Sequence, residues 1–303
     1  MLFLAELRKI VGNDKVYSDE PMHKHTTMKV GGPARYMVTP GKEDEIPELI
    51  KVARLHNIPY YVIGNGSNLL ISDEGYDGLI IYIGREMSDI TVEGNIIKAD
   101  AGAMLSSLGA VALKNGLTGL EFAAGIPGTL GGACVMNAGA YGGEIKDVVA
   151  EVTAVDKGGV IHRFLPEDMK MSYRNSVFMG GEYIITGAVL KLSEGDGEEI
   201  SSKMSDFTRR RLDKQPLEYP SVGSTFKRPE GYFAGALIEK AGLKGKGVGG
   251  ACVSEKHAGF VINYNNATAM DVYKTINYVI DEVKKDSGVI LEPEVRIIGN
   301  FIK

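Results

Sequence analysis

The spacing of apolar positions divides the chain into alternating helical and extended stretches. Residues 43–57 place Ile46, Leu49, Ile50 and Ala53 on one face, the spacing of an amphipathic helix. Tyr60-Tyr61-Val62-Ile63 follows as a short β-branched and aromatic run that predicts a buried strand. Strands are expected at 79–83, 90–92 and 96–99, the last two joined by a Glu93-Gly94-Asn95 turn, and helical spacing returns over 105–113. Residues 120–143 are rich in Gly and Ala, so this backbone must pack closely against a flat surface or itself. Further strands are expected at 148–155, 160–164 and 183–192. Near residue 193 the texture changes: Glu194-Gly195-Asp196-Gly197-Glu198 is acidic and glycine-punctuated, and a charged helix follows over 200–212. Beyond it the pattern gives a helix at 234–241, strands near 250–253 and 260–262, a long helix over 267–285 and a strand over 294–298. The expected class is α+β. The expected division is an N-terminal helical segment (1–20), a first domain (21–193), a linker helix (194–218) and a small α/β domain (219–303).

Composition narrows this picture. A chain of 303 residues, 44% hydrophobic and 24% charged, is ordinary for a folded enzyme and long enough for two cores. Its 39 glycines exceed the average usage of about 7%, which calls for many turns and close backbone approaches. A net charge of -5 gives no general affinity for nucleic acid, and Arg209-Arg210-Arg211 reads as a solvated helix face. Cys134 and Cys252 lack metal-ligand spacing and read as two buried, reduced thiols. His23-x-His25 reads as a surface pair rather than a metal site. The start of the chain turns charged at Glu6, which argues against a signal peptide. No apolar run approaches the ~20 residues that span a bilayer. The expectation is a soluble, cytoplasmic, monomeric protein.

Two glycine-dense loops carry the strongest chemical signal. Gly64-Asn65-Gly66-Ser67-Asn68 follows the predicted strand at Tyr60–Ile63, and Gly125-Ile126-Pro127-Gly128-Thr129-Leu130-Gly131-Gly132 lies in the small-residue stretch. Without Cβ atoms in the way, successive N–H groups form a concavity that binds phosphate oxygens; the bland reading of either loop is a tight turn. Neither carries the Rossmann or P-loop fingerprint. Together they suit a ligand with a pyrophosphate and a long body, such as a dinucleotide, on another fold.

Three further segments offer polar chemistry. In Ser172-Tyr173-Arg174-Asn175-Ser176, the Arg174 fork suits a carboxylate, or an ordinary surface ion pair. In Ser221-Val222-Gly223-Ser224-Thr225-Phe226-Lys227-Arg228-Pro229, Ser224 is a helix N-cap or ST-turn, or instead a proton donor, with Lys227 and Arg228 to favour a transient alkoxide. In Leu291-Glu292-Pro293-Glu294-Val295-Arg296, two carboxylates lie two residues apart on an extended stretch that Pro293 distorts.

The order of these segments resembles the UDP-N-acetylenolpyruvoylglucosamine reductase family, flavoenzymes that make UDP-N-acetylmuramate for bacterial peptidoglycan. The resemblance runs from Thr26 to Gly299. It rests on Val30-Gly31-Gly32-Pro33-Ala34, the 64–68 loop, the 125–132 loop, Tyr173-Arg174-Asn175-Ser176, Gly223-Ser224-Thr225-Phe226-Lys227 and Glu294-Val295-Arg296. It implies a flavin domain of the vanillyl-alcohol-oxidase-like (PCMH) type followed by an α/β substrate domain. Residues 193–219 lack a long tyrosine-bearing insertion, which resembles the family's second type.

The resemblance also implies ligands and roles. FAD is expected as a non-covalent cofactor, NADPH as co-substrate and a nucleotide sugar as substrate. Gly64, Asn65, Gly66, Ser67 and Asn68 are expected on the pyrophosphate. Gly125, Ile126, Pro127, Gly128, Thr129, Gly131 and Gly132 are expected along the cofactor, with Asn137 and Gly139. Arg174 and a protonated Glu294 are expected to flank the substrate carboxylate, and Ser224 to protonate the carbanion left by hydride addition. Tyr173, Lys214, Lys227, Arg228 and His257 are expected to line the substrate site; Arg228 stands where the family's other type has Asn. Two competing readings are an FAD-dependent oxidase of hydroxy acids or sugars, often with a covalent flavin, and a nucleotide-binding regulatory protein without catalysis.

Overall fold

The computed structural model describes residues 2–301, and its contacts divide the chain into two compact units. Unit one comprises Met1–Ser18, Tyr36–Asn65 and Gly78–Arg210; unit two comprises Asp19–Arg35, Gly66–Asp77 and Arg211–Lys303. Met1, Ile302 and Lys303, which belong to the expected end segments, lie outside the described residues.

Unit one has a mixed α/β core. Its five-stranded antiparallel sheet runs Ile161–Phe164, Val149–Asp156, Tyr183–Lys191, Ile96–Asp100, Ile90–Glu93. Alternation decides which face is buried: Val152, Ala154, Ile97, Ala99, Ala188 and Leu190 join the core. Unit one also holds a parallel pair, Tyr60–Ile63 against residues 78–82, in which Tyr60 opposes Leu79 and Ile63 opposes Tyr82. The helix Glu45–Leu55 buries Ile46, Leu49, Ile50 and Ala53, the stripe its spacing predicts. The helix Leu105–Lys114 buries Leu105, Leu108 and Ala112. Within the small-residue stretch lies a helix that periodicity did not predict, Leu130–Met136, with Leu130, Ala133 and Cys134 buried.

Unit two is built on a three-stranded antiparallel sheet, Gly247–Val248, Ala251–Val253, Val261–Asn263, covered by the helix Ala269–Ser287. That helix opens on a reciprocal cap: Thr268 Oγ1 accepts from Asp271 N and the Asp271 carboxylate accepts from Thr268 N, each at 3.0 Å. The strand Leu69–Ile71 pairs in parallel with Arg296–Ile298, and Met28, Val30 and Leu70 join the core of Phe226, Val253, Ile276 and Val283. Segments 21–35 and 66–77 were expected in the first domain and residues 19–20 in the N-terminal segment, yet they cluster here, where Met28, Val30 and Leu70 feed the second core. The strand expected over 294–298 begins only at Arg296, since the chain just before it is held by a separate bridge of Pro293 to Phe226.

Arg209 and Arg210 both pair with Asp206 on the charged helix Gly197–Lys214, as a solvated face would. His25 Nε2 bonds Glu20 Oε1 at 3.0 Å. Cys134 is fully buried whereas Cys252 is half-buried, which corrects the expectation of two buried thiols. Among the described residues, no helix is long and apolar enough to cross a membrane.

Candidate active site

Gly64 and Asn65 meet the second glycine-rich loop inside unit one, while Gly66, Ser67 and Asn68 belong to unit two. A Cβ on Gly64 would sit 2.2 Å from Thr129 Oγ1, and Asn65 Nδ2 donates to Pro127 O at 2.7 Å. Behind the second loop, Leu105 N donates to Gly128 O at 3.0 Å and Leu130 N to Ala103 O at 2.8 Å. Gly131 N donates to Ala101 O at 2.8 Å, so tightly that a Cβ on Gly131 would lie 2.9 Å from Ala101 Cβ. Gly66 takes φ +60°, where a Cβ would lie 2.0 Å from His25 O; only glycine is at ease there. Among the described residues, the N–H groups of Gly64, Asn65, Gly66, Ser67, Gly128 and Thr129 donate to no backbone carbonyl. Three of these six positions are glycines without a Cβ; in unit one the spare donors of Gly64, Asn65, Gly128 and Thr129 fit the diphosphate of a flavin dinucleotide, and in unit two Gly66 and Ser67 leave two further donors of the same kind.

Asn137 and Gly139 have other work. Asn137 ends the helix Leu130–Met136 in a left-handed conformation, φ 44°, and is fully buried. Its Nδ2 donates to Glu144 Oε2 at 2.6 Å and Ser172 O at 3.1 Å, and its Oδ1 accepts from Lys146 N at 2.9 Å. Both amide hydrogens are thus engaged within unit one. A Cβ on Gly139 would lie 2.7 Å from Gly143 O, so the Gly139–Ala140 and Gly143–Glu144 hairpin itself requires that glycine.

Arg174 sits on a tight turn in unit one. Ser172 N and Asn175 N each donate to the other residue's carbonyl, at 3.0 and 3.1 Å. Arg174 takes φ +52°, a strained position for a long side chain. Its Nη2 donates to Gly139 O at 3.4 Å, and its guanidinium carbon lies 5.3 Å from the Tyr173 ring centre. Tyr173 is 56% exposed, in keeping with a residue that lines an open site. After the turn, Ser176 Oγ donates to Val135 O at 2.6 Å. The sequence reading missed Glu144, Asp147 and Ser176 as supports. The Glu144-x-x-Asp147 spacing was the available signal, and Glu144 N donates to Asp147 Oδ2 at 2.9 Å.

Unit two brings Ser224 and Glu294 to neighbouring strands of chain. Phe226 and Pro293 form an antiparallel bridge, with Glu294 N donating to Thr225 O at 2.8 Å and Lys227 N to Glu292 O at 2.9 Å. Asn68, expected on the cofactor, donates through Nδ2 to Glu294 O at 3.1 Å and accepts from Arg296 N at 3.0 Å. Thr225 is buried beneath, its Oγ1 accepting from Val261 N. Ser224 is exposed and no helix starts at it, so the N-cap reading fails. The two carboxylates now separate: Glu292 is exposed and ion-paired with Lys227, whereas Glu294 is half-buried. Lys227 is thus partnered within the protein, and the Arg228 guanidinium lies 4.0 Å from the centre of the exposed Phe233 ring.

His257 lies under the same segment. Its Nδ1 accepts from Gly259 N at 3.1 Å, and Gly259 O accepts from Thr225 N at 2.9 Å. Burial is the main cause holding His257 below its ordinary value of 6.5, aided by the charges of Lys244 and Lys214. Lys214 is exposed at the end of Gly197–Lys214 and so acts on His257 at a distance. As pH falls through 6.5 the unfolded chain takes up this proton first, so folded-state stability is retained above that pH and lost below it. His257→Asn keeps an acceptor for Gly259 N and does not titrate. Its melting temperature should fall less between pH 7 and 5.5 than that of the parent, a difference read directly by thermal scans; equal slopes would remove His257 from the acid sensitivity.

Comparison with known proteins extends this geometry. Residues 34–165 match the FAD binding domain family, and residues 215–298 match the family described as UDP-N-acetylenolpyruvoylglucosamine reductase, C-terminal domain. A UDP-N-acetylenolpyruvoylglucosamine reductase of Caldanaerobacter subterraneus subsp. tengcongensis is 50% identical over 298 residues, covering 98% of either chain. One from Clostridium botulinum is 48% identical over 297 residues, 98% of this chain and 97% of its own. The crystal structure of the reductase from Thermus caldophilus superposes with a TM-score of 0.79 at 35% identity, covering 94% of this chain and 98% of that one. A Phl p 4 variant described as a glucose oxidase superposes at TM-score 0.50 and 17% identity over 64% of this chain and 44% of its own, which shows shared fold alone. Fold and site therefore define an FAD-dependent oxidoreductase with a PCMH-type flavin domain. The chain belongs to the UDP-N-acetylenolpyruvoylglucosamine reductase family, whose activity serves peptidoglycan precursor synthesis.

Proposed function

We propose that this enzyme, working in the cytoplasm, uses NADPH to reduce the enolpyruvyl ether of UDP-N-acetylglucosamine enolpyruvate to UDP-N-acetylmuramate. FAD, when bound, supplies the hydride that adds to the methylene carbon of the ether. The addition leaves negative charge on the adjacent carbon and its carboxylate, so the protein must stabilise charge as it develops. Arg174 offers the carboxylate a cationic fork, and Glu294 in its protonated form offers a hydrogen bond. Ser224 donates its hydroxyl proton to the carbanion. A serine is a weak acid in water, so this step asks for a site that excludes solvent. Tyr173, Lys214, Lys227, Arg228 and His257 are assigned to substrate contacts, Lys227 by exchanging its partner Glu292 for substrate oxygens.

The observation that carries this reading is the bond from Glu294 N to Thr225 O, which fixes the carboxyl-bearing and hydroxyl-bearing residues on adjoining segments. Cys134 supports a non-covalent flavin: burial pushes its thiol up to about 12, so it remains protonated, fully enclosed and unreactive. Turnover in D2O with unlabelled NADPH tests the chemistry. The product should carry deuterium on the carbon bearing the carboxylate, delivered from an exchangeable hydroxyl, as read by proton NMR. Protium retained at that carbon would contradict protonation by Ser224.

A further inference from the structure

We infer that Asn137 is a positioning residue for Arg174, holding the turn from which the guanidinium projects; this rests on the carboxylate-binding role proposed above for Arg174. The turn Ser172-Tyr173-Arg174-Asn175 closes on itself by two bonds, with Tyr173 exposed and Arg174 in a left-handed conformation. Its direction is set by anchors on the segment around Asn137. Ser172 O accepts from Asn137 Nδ2, Ser176 Oγ donates to Val135 O, and Arg174 Nη2 reaches Gly139 O. Asn137 stands where the helix Leu130–Met136 ends and the hairpin begins, and its side chain ties three segments together. The helix end supplies the residue, the hairpin return supplies Lys146 N and the Glu144 carboxylate, and the Arg174 turn supplies Ser172 O.

Asparagine suits the position for two independent reasons. It tolerates the left-handed backbone better than other non-glycine residues. It also presents two donors and one acceptor to partners that need that set. Aspartate would lack both donors and place a second carboxylate against Glu144, whose Oε2 is 2.6 Å from Nδ2. Glu144 is held in turn by Lys146, its Oε1 lying 2.5 Å from Nζ. The turn is therefore held by a polar network centred on the fully buried Asn137 side chain.

The test compares Asn137→Gly, Arg174→Ala and the double variant in two anaerobic half-reactions, each followed by flavin absorbance in the FAD-loaded enzyme. Glycine deletes the side chain without penalising the left-handed backbone. Misaiming a binding group by about 1 Å costs on the order of 100-fold, so Asn137→Gly should slow substrate-driven reoxidation by about that factor while NADPH-driven reduction stays within about twofold. The double variant should be no slower than Arg174→Ala, because both changes remove one function. Glu144→Gln, which keeps an acceptor for Nδ2, should stay near the parent, and Glu144→Ala should follow Asn137→Gly. Should Asn137→Gly fail to fold, Glu144→Ala combined with Arg174→Ala gives the same comparison. Multiplicative slowing in the double variant, or weakened FAD binding by Asn137→Gly, would overturn the inference in favour of a separate or cofactor-directed role. A slow Arg174→Ala beside an unimpaired Asn137→Gly would overturn the inference alone. Arg174→Ala at the parent rate would overturn the role of Arg174, and this inference with it.

Discussion

Ser224→Ala should leave reduction of bound FAD by NADPH intact and slow reoxidation by the enolpyruvyl substrate by roughly 100- to 10,000-fold, the range a positioned general acid supplies. Ser224 is exposed, follows Gly223 at φ +75°, and makes no part of either core. Its loss therefore carries little cost to folding, while Thr225 below it continues to hold Glu294, Val261 and Gly259. The hydride must still reach the methylene carbon, but the carbanion then waits for a proton from a poorer source. Stopped-flow traces of the two half-reactions check this separately. Equal slowing of both would remove Ser224 from proton transfer and make it a general support of the site.

Gly66→Ala should release FAD, weakening its binding by on the order of 100-fold or about 2.7 kcal/mol. Two costs meet at this position. The left-handed backbone disfavours any Cβ by roughly 1–2 kcal/mol, and the new atom would lie 2.0 Å from the His25 carbonyl, which cannot be accommodated without moving the loop. Either relaxation disturbs the neighbouring N–H groups that fit the diphosphate. Gly94→Ala is the matched control. It has the same φ of +60° but nothing within 4 Å of its Cβ, so it bears strain without collision and should purify yellow. A yellow Gly66→Ala with parental FAD affinity would show that the 64–68 loop does not hold the cofactor.

Much of the fold is legible wherever a local period decides the structure. The helices Glu45–Leu55 and Ala269–Ser287 and the strands of the five-stranded sheet follow directly from apolar spacing. The helix Leu130–Met136 does not, because Leu-Gly-Gly-Ala-Cys-Val-Met has poor intrinsic helix propensity and tertiary packing overrides it. The strand Val16–Pro21 is hidden by its exposed Tyr17-Ser18-Asp19, and Pro33–Val38 by its opening proline. Segments 19–35 and 66–77 carry apolar residues that serve either core equally well on pattern alone. Their place is set by pairings such as Leu69–Ile71 with Arg296–Ile298, far apart in sequence.

The site was readable as motifs and less so as geometry. Glycine spacing exposes the 64–68 and 125–132 loops, because their lack of Cβ is itself the signal. Nothing local distinguishes Glu294 from Glu292; the pairing of Lys227 with Glu292 does so only in the folded chain. The left-handed Arg174 and the engagement of Asn137 depend on partners at residues 144, 146 and 172. No periodicity records such contacts.

The central claim is tested most directly by anaerobic absorbance of the purified, FAD-loaded protein. NADPH should bleach the flavin bands, and stoichiometric UDP-N-acetylglucosamine enolpyruvate should restore them in the absence of oxygen. Bands that bleach but recover only when oxygen is admitted would contradict the reductase assignment and leave an oxidase on the same fold.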